Sequence, residues 1–368
     1  MSDVELLQTS LPCTGEAEKL AIGRVLDSGY LGMGPEVAAF EQEIANYLGN
    51  KDSVACVNTG TSALHLACEA LGLGPGDEVL VPSLTYVACF QAIAASGARP
   101  VACDVRLQDG LLDLDDASRH LTEITRAIMP VFYAGYPGDL AAVYAFASQH
   151  GLRVIEDAAH AFGSRTSETL VGSQGDITCF SFDPIKNITA GEGGAVVSRN
   201  PDIIERVREM RQLGIRKSGQ DDFDVSSRGW RFQMPDLMAA IGRTQLARFE
   251  SELKPARQAL HCLYRKNLEH IPGVSLLETS TDVVPHIMPI RLPATKRDSI
   301  RKTLLAAGFD TRVHYKPNHL LERFNNGYRC PVSEQLFSEL LTLPTHPGVS
   351  ETQVKQITGI IVAGVRGA

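Results

Sequence analysis

The chain has 368 residues, which is long enough for two domains and a large hydrophobic core. Hydrophobic residues make up 44% and charged residues 21% of the sequence, so it is an ordinary globular composition rather than a disordered or fibrous one. The net charge of −8 argues against general binding to nucleic acid, and no uninterrupted apolar stretch is long enough to span a bilayer.

Short apolar strands alternate with amphipathic helices as far as Ser198. The predicted strands are Ser53–Val57, Glu78–Val81, Pro100–Asp104, Ala127–Phe132, Arg153–Glu156, Ile177–Phe182 and Ala195–Ser198. Helices are predicted between several of them, at Ala63–Leu71, Val87–Ala95 and Leu140–His150. This alternation favours an α/β fold with a mostly parallel central sheet covered by helices. Ligands of such sheets bind at the carboxyl ends of the strands, so residues that follow strands are the candidates for a site.

The pattern changes after Ser198. Arg216–Arg228 is polar and predicts a surface loop. Pro235 predicts the start of a helix to Phe249, continued past Pro255 to His270. The remaining predicted elements are the strands Ser275–Leu277, His286–Arg291 and Thr311–Val313 and the helices Lys296–Ala307 and Val354–Val362. We expect a large domain over residues 1–250 and a smaller α+β domain over residues 251–368.

The cysteines show no C-x-x-C spacing, and several lie in apolar runs. They are Cys13, Cys56, Cys68, Cys89, Cys103, Cys179, Cys262 and Cys330. This pattern indicates buried free thiols of a reducing compartment rather than zinc ligands or disulfides, and no metal site is predicted. The first residues, Met1–Glu5, do not resemble a signal peptide, so we expect a cytoplasmic protein.

Lys186 follows the predicted strand Ile177–Phe182 and precedes the glycine-rich run Gly191–Gly194. A lysine in a loop is usually a solvated surface charge. A lysine held in a partly desolvated pocket, however, has a lowered pKa and can form a Schiff base.

Asp157 follows the strand Arg153–Glu156 in the same way. On its own it is explained equally well as the cap of a following helix. A Schiff-base lysine together with a carboxylate for a pyridinium nitrogen, however, is what pyridoxal phosphate requires of a protein. The pair therefore favours a site for that cofactor.

The turn Asn58–Ser62 lies between a strand and an apolar-periodic helix. The first backbone N–H groups of such a helix are unpaired and can bind a phosphate, which Gly60 allows to approach closely. The alternative is an ordinary helix capped by Thr61 or Ser62. No Walker A pattern or G-x-G-x-x-G follows a strand, so nucleotide triphosphate and dinucleotide sites are not supported.

These features occur in a series of motifs along most of the chain. The motifs are Leu26–Pro35, Phe40–Glu41, Thr59–Leu64, Pro82–Tyr86, Glu156–Gly163, Ser181–Gly194, Met234–Gly242 and His314–His319. In this order and combination they resemble the DegT/DnrJ/EryC1/StrS family of sugar aminotransferases that depend on pyridoxal phosphate. The resemblance implies a fold-type-I transferase, like aspartate aminotransferase, acting as a homodimer with shared active sites.

The resemblance also implies a role for each matching residue. Lys186 and Asp157 are the implied catalytic residues, which bind the cofactor's carbonyl carbon and its ring nitrogen. The other implied cofactor-binding residues are Gly60, Thr61, Ser62 and Ser181 at the phosphate, His160 near the phenolic oxygen, Tyr86 on the ring face and Arg231. The implied substrate-binding residues are His314, Tyr315 and His319. Without the resemblance, Tyr86 and His160 would be interpreted as core side chains.

One segment departs from the family pattern. Where many members have an Asn followed by an Arg between aromatic residues, this chain has Arg231 and Gln233 in the run Trp230–Met234. In the family that Asn comes from the neighbouring subunit and contacts the cofactor phosphate. Arg231 is expected either to replace it with a charge-assisted contact or to bind an acidic group of the substrate.

The resulting hypothesis is an aminotransferase that moves an amino group, by family analogy from L-glutamate, to a keto sugar that is linked to a nucleotide. Two alternatives stay open at this point: a dehydratase or deoxygenase on the same fold, and a non-catalytic binding protein. In the family's dehydratases the Schiff-base lysine is a histidine, so Lys186 argues against the first alternative.

Overall fold

The computed structural model describes residues 6–51, 53–167, 169–217, 219 and 222–367. Its strands are β1 (Val54–Val57), β2 (Glu78–Pro82), β3 (Arg99–Cys103), β4 (Thr125–Ile128), β5 (Arg153–Asp157), β6 (Ile177–Ser181), β7 (Gly194–Val197), β8 (Ile215–Lys217), β9 (Phe223–Val225), β10 (Ser275–Leu276), β11 (Met288–Arg291) and β12 (Leu340–Leu343). Its helices are α1 (Glu16–Ser28), α2 (Pro35–Leu48), α3 (Gly60–Ala70), α4 (Ala88–Ser96), α5 (Leu114–Arg119), α6 (Leu140–His150), α7 (Pro201–Met210), α8 (Asp236–Ala247), α9 (Lys254–Leu268), α10 (Ala294–Ala306), α11 (Pro331–Glu339) and α12 (Glu351–Arg366). A π-helical turn, Phe249–Leu253, joins α8 to α9, and short 3-10 turns lie at Tyr133–Gly135, Asn318–Leu320 and Glu322–Phe324.

The first seven strands form one sheet in the order β1-β7-β6-β5-β4-β2-β3. The pairs from β3 across to β6 are parallel, whereas β7 runs antiparallel to both of its neighbours. The predicted α/β fold with a mostly parallel sheet is therefore confirmed. Each predicted strand of this sheet is present, with ends that differ by a few residues.

Helices cover both faces of this sheet because its strands are apolar on both sides. Helices α3, α4 and α7 pack against one face, through strand residues such as Val57 and Ile155. Helices α2 and α8 cover part of the other face, and α5 and α6 cover the rest. Two layers of helix around a parallel sheet leave the carboxyl ends of the strands as the accessible edge, where ligands bind.

The second sheet is antiparallel, in the order β10-β11-β12, and shares an apolar core with α9, α10 and α12. The predicted strand Thr311–Val313 is wrong: this segment makes only an isolated bridge between Arg312 and Thr342. The third strand is β12, which the sequence analysis missed. All four residues of β12 are buried, and periodicity cannot distinguish a short, continuously apolar strand from a buried helix.

The predicted loop Arg216–Arg228 is also partly wrong, because β8 and β9 pair as an antiparallel hairpin. Residues 218, 220 and 221 of this prediction lie outside the described residues. Ile215, Phe223 and Val225 share one face of this hairpin, but each strand has only three residues, which is too short for its alternation to predict a strand. Three polar side chains around the hairpin bind the Glu209 carboxylate at the end of α7: Arg216, Ser226 and Ser227. Among the described residues, no helix is long and apolar enough to cross a membrane. The division at residues 250 and 251 stays a prediction.

Candidate active site

The candidate site lies where the neighbouring parallel strands β5 and β6 end. Asp157 is the last residue of β5 and pairs with Cys179, and Ser181 is the last residue of β6. The chain then turns at Asp183, whose carbonyl accepts the Lys186 N–H at 3.1 Å. The sheet register therefore delivers the carboxylate, the hydroxyl and the lysine to the same edge, as the sequence predicted for residues that follow strands.

The surroundings of the Lys186 amine lower its pKa below the ordinary lysine value. Burial lowers its pKa, and the positive charge of Arg257 lowers it further, while the carboxylates of Asp183 and Asp157 act in the opposite direction. Its Nζ lies 3.5 Å from Nε2 of His286. Because only the unprotonated amine carries a lone pair, this environment favours a nucleophile.

The Asp157 carboxylate is buried, with 5% of the residue exposed, and both of its oxygens accept hydrogen bonds. The Cys89 thiol donates to Oδ2 at 2.9 Å, and the Ala159 N–H donates to Oδ1 at 3.0 Å. Burial raises its pKa, and the bonds from Cys89 and Ala159 and the charge of Lys186 oppose that rise. Asp157 is thus a fixed acceptor in a dry surrounding, where a hydrogen bond to a cationic donor is strong.

The turn before α3 forms a cradle of small residues. Thr59 caps the helix, since its Oγ1 accepts the Ser62 N–H at 3.0 Å. The alternative with Thr61 or Ser62 as the cap is therefore wrong. A Cβ on Gly60 would lie 2.7 Å from the Cβ of Ser181, so only glycine lets the start of α3 approach the end of β6 this closely. The Ser181 hydroxyl and the first amides of α3 consequently lie together.

The two other hydroxyl residues of the cradle differ in exposure. Thr61 is exposed, whereas Ser62 is buried and its hydroxyl donates to Oδ1 of Asn58 at 2.7 Å. Thr61 can therefore reach an incoming phosphate without breaking an existing side-chain bond. The Ser62 hydroxyl supports the turn in the present geometry.

His160 and Tyr315 form a second polar pair at this edge. Nε2 of His160 and the Tyr315 hydroxyl lie 3.1 Å apart, and the His160 ring packs 4.3 Å from the ring of His286. Burial holds the pKa of His160 well below its usual value, and the nearby Lys186 lowers it further. Nδ1 of His160 is buried and has no partner among the described residues. A neutral histidine with one free ring nitrogen can still bind a polar ligand.

The rings of Tyr86 and His314 both lie beside the Tyr315 ring of this pair. Tyr86 follows β2, is 59% exposed and has its ring 5.9 Å from that of Tyr315. Nδ1 of His314 lies 2.9 Å from the Thr342 hydroxyl, and burial together with Lys186 lowers the pKa of His314 to about 4. The exposed Tyr86 ring is available to a ligand, as the stacking hypothesis requires.

The structure does not bring His319 into this group. Its Nδ1 lies 2.7 Å from the Ser83 hydroxyl and its Nε2 lies 3.2 Å from Oε1 of Glu334. His319 is buried, and both ring nitrogens already have protein partners. These contacts stabilise the loop after β2. The predicted binding of substrate by His319 stays a prediction.

The segment around Arg231 borders the cradle. The Phe232 carbonyl accepts the Asn58 N–H at 2.9 Å, and Gln233 forms a bridge with Val57. Arg231 itself is exposed, and no described residue forms a hydrogen bond or ion pair with its guanidinium. An exposed cation beside a candidate phosphate site is available to a further ligand or subunit.

Four residues of the site were missed by the sequence analysis: Cys89, Asn187, Arg257 and His286. Cys89, Arg257 and His286 contact Asp157 or Lys186 from distant parts of the chain, whereas Asn187 ties the lysine loop to the Val284 carbonyl. Only Asn187 carries a local signal, because it directly follows the lysine. The others lie inside predicted helices or strands, where a polar residue does not reveal which neighbour it faces.

A model of the DegT/DnrJ/EryC1/StrS aminotransferase family matches residues 12–362. The chain belongs to this family. The match covers the strands, the cradle and the lysine loop, so the predicted family, fold type I and aminotransferase activity are confirmed.

Named relatives have the same activity. The chain is 34% identical over 360 residues to dTDP-4-dehydro-2,3,6-trideoxy-D-glucose 4-aminotransferase of Saccharopolyspora spinosa, covering 94% of this chain and 93% of that protein. It is 37% identical over 345 residues to dTDP-3-amino-3,4,6-trideoxy-alpha-D-glucose transaminase of Streptomyces venezuelae, covering 92% and 89%. The aminotransferase TlmJ from Streptoalloteichus hindustanus has a similar structure, with a TM-score of 0.92, 33% identity and 98% of both chains covered.

Proposed function

We propose that this aminotransferase uses pyridoxal phosphate to move the amino group of an amino acid, L-glutamate, to a keto sugar carried on a nucleotide. The observation that carries the proposal is the meeting of Lys186, Asp157 and the cradle of α3 at one edge of the sheet. An amine, a buried carboxylate and a set of free amides match the carbonyl, ring nitrogen and phosphate of that cofactor.

The residues present fit the cofactor. The contact of Gly60 with Ser181 leaves the start of α3 open where a side chain would otherwise fill it. Buried Nδ1 of His160 has no partner among the described residues, which leaves a polar atom for the ring substituents. Among the implied residues, Gly60, Thr61, Ser62 and Ser181 would hold the phosphate.

When bound, pyridoxal phosphate supplies an electron sink and a carrier for the amino group. Lys186 would provide the attachment point and would move a proton at its Nζ. The second role requires an amine whose pKa lies below the ordinary lysine value, as burial makes it here. Asp157 would hold a proton on the ring nitrogen by presenting a fixed negative charge in a dry surrounding. The exposed Tyr86 ring would cover the ring face of the cofactor and exclude water from it.

The acceptor is inferred from the relatives. Both named curated relatives act, by their names, on dTDP-linked deoxy sugars. A nucleotide-linked keto sugar is therefore the substrate class that we propose for this chain. Of the implied substrate residues, His314 has its pKa lowered by Lys186, and the Tyr315 hydroxyl lies 3.1 Å from Nε2 of His160.

We further propose a cytoplasmic homodimer that shares its active sites, with Arg231 reaching the partner's cofactor phosphate or substrate. Its support is the exposed guanidinium of Arg231 next to the cradle segment. The cysteines add support for a reducing compartment, because all eight are free and six are buried.

The absorption spectrum of the purified protein loaded with pyridoxal phosphate tests the proposal. Addition of glutamate should convert the spectrum to that of pyridoxamine phosphate, with release of 2-oxoglutarate. A panel of nucleotide-linked keto sugars should then restore the first spectrum for one acceptor. An unchanged spectrum with every amino acid donor would contradict the function. Release of a deoxygenated sugar without an amino group would favour the dehydratase alternative.

A further inference from the structure

His286 is the side chain in direct contact with the Lys186 amine. Its Nε2 lies 3.5 Å from Nζ, and 2% of the residue is exposed. The lysine side chain is a flexible stem of four carbons, so its amine samples many positions unless a partner holds it. We propose that His286 is a positioning residue for Lys186, which accepts one N–H of the amine at Nε2 and leaves its lone pair free for an incoming carbonyl carbon.

The backbone that carries His286 is fixed to the lysine loop by Asn187. The Asn187 amide donates to the carbonyl of Val284 at 3.1 Å and to the carbonyl of His160 at 3.3 Å. The Val284 N–H in turn donates to the Ser164 hydroxyl at 2.9 Å. The residue after the lysine therefore ties together the segments that carry both histidines, which sets the distance between His286 and Nζ.

Gly135 lets the same segment approach. It has a φ of +96°, and a Cβ there would lie 2.6 Å from the Val284 carbonyl oxygen and 2.9 Å from that of His160. A side chain at this position would push the segment away, so the contact depends on glycine. The His160 ring then packs 4.3 Å from the His286 ring and limits its rotation.

His286 is suited to accept a hydrogen bond from the Lys186 amine rather than to remove a proton from it. Burial holds its pKa well below the usual value, and the charges of Lys186 and Arg257 lower it further. The Arg257 guanidinium is buried and donates to the Lys186 carbonyl at 3.0 Å. The ionisable groups around the lysine amine and its histidine partner are Asp157, Asp183, Cys89, Arg257, His160 and His314. A neutral imidazole can thus orient the amine through successive proton transfers without becoming charged.

The test measures the reactivity of Lys186 in cofactor-free protein. The protein is treated with limiting acetic anhydride between neutral and alkaline pH, and acetylation of Lys186 is quantified by peptide mass spectrometry. Exposed Lys19 serves as the internal standard, since 75% of its side chain is accessible. Two variants of similar size form the matched pair: His286→Gln retains an oxygen acceptor, and His286→Leu has none.

With His286→Leu, the rate at the alkaline plateau should fall about tenfold, because the unprotonated amine is no longer directed. The midpoint of the pH curve should move down, because the ammonium form loses an acceptor while the site stays dry. His286→Gln should retain most of the plateau rate. His286→Phe repeats the test if the leucine variant does not fold, as judged by circular dichroism.

A role in packing alone predicts the opposite sign. Water would then enter around the lysine, the midpoint would move up towards the ordinary lysine value, and both variants would behave alike. Either that result or an unchanged plateau in His286→Leu would overturn the proposal. The proposed function enters this proposal only by naming the cofactor's carbonyl carbon as the group that the Lys186 amine attacks. A wild-type protein that fails to bind pyridoxal phosphate on Lys186 would refute the function, while the acetylation result would stand separately.

Discussion

Glu156 and Asp157 are adjacent buried carboxylates at the end of β5, and they point to opposite faces of the sheet. Asp157 accepts from the Cys89 thiol and the Ala159 N–H, with Lys186 close enough to affect its pKa. Glu156 accepts from the Tyr144 hydroxyl at 2.8 Å and the Thr178 hydroxyl at 2.6 Å, and burial raises its pKa to about 7.

The difference indicates that burial by itself does not assign a carboxylate to the proposed site. Glu156 even borders a cavity of about 730 Å³, together with Tyr144 and Arg165, on the side away from the lysine. Its two oxygens have hydroxyl partners, and no described lysine faces them. In the proposed function, the chemistry takes place where the carboxylate, amine and helix start coincide. We therefore name the Asp157 side of β5 the catalytic face and the Glu156 side the back face.

The largest effect is expected from Lys186→Ala. The variant lacks the amine that contacts His286 on the catalytic face. Both the attachment point and the proton carrier of the proposed function are then lost, so turnover should fall about 10³-fold or more. The measurement is the rate of pyridoxamine phosphate formation with glutamate, and Lys19→Ala is the matched control. Full activity in Lys186→Ala would remove the basis of the proposed function.

The second prediction separates the two faces directly. Asp157→Asn should keep the fold but lower the rate of the glutamate half-reaction about 10³-fold, because the fixed charge at the ring nitrogen is lost. Glu156→Gln should leave that rate close to wild type, since its side chain faces the opposite side. Equal losses in both variants, measured by stopped-flow spectroscopy, would show that the distinction between the faces is wrong.

The third prediction concerns completion of the catalytic face by a second subunit. Arg231→Ala should reduce turnover about tenfold or more, through loss of a charge-assisted contact. Mixing Lys186→Ala protein with Arg231→Ala protein and allowing subunit exchange should then raise activity above both parents. If Arg231 acts in trans, a heterodimer has one site with both changes and one restored site.

Proof of exchange comes from mass spectrometry of differently tagged subunits. No recovery after complete exchange would place Arg231 in its own subunit's site or outside any site. An active monomer in solution would exclude a shared site altogether.

The smallest effect is expected on the stability of the protein, and it arises from Glu156 on the back face. The pKa of Glu156 is raised from 4.5 to about 7, so the folded state binds a proton more tightly than the unfolded state. The free energy of unfolding should therefore fall as the pH rises between these values, by about 3 kcal/mol in total. Urea titrations at pH 5 and pH 8 should show this loss in wild type and a smaller one in Glu156→Gln. An identical pH dependence in both proteins would contradict it.

Much of the large sheet was predictable because its strands are short, apolar and separated by helices with clear periodicity. Lys186, Asp157 and Ser181 could be predicted for the same reason, since each lies at or just after the end of such a strand. The errors fall where these signals are weak. Thr311–Val313 carries a strand-like composition without a ladder, and the fully buried β12 lacks the alternation that would distinguish it from a helix.

The partners of the site could not be predicted. Cys89 lies 68 residues before Asp157, and His286 lies 100 residues after Lys186. His319 matched a family motif, but its two ring nitrogens lie within hydrogen-bond distance of Ser83 and Glu334. A motif reports which residue is present, whereas the direction of its side chain depends on the backbone around it.

The sequence by itself determined the succession of strands in the large sheet, the small-residue turn before α3 and the family, because hydrophobic period and turn chemistry act over a few neighbouring residues. The tertiary structure decided which side chains meet there. Packing of α4 brings the Cys89 thiol to Asp157, and the close approach allowed by Gly135 and Asn187 brings His286 to Lys186. Such contacts join segments far apart in the chain, so they follow from the packing of the whole core and not from any local pattern.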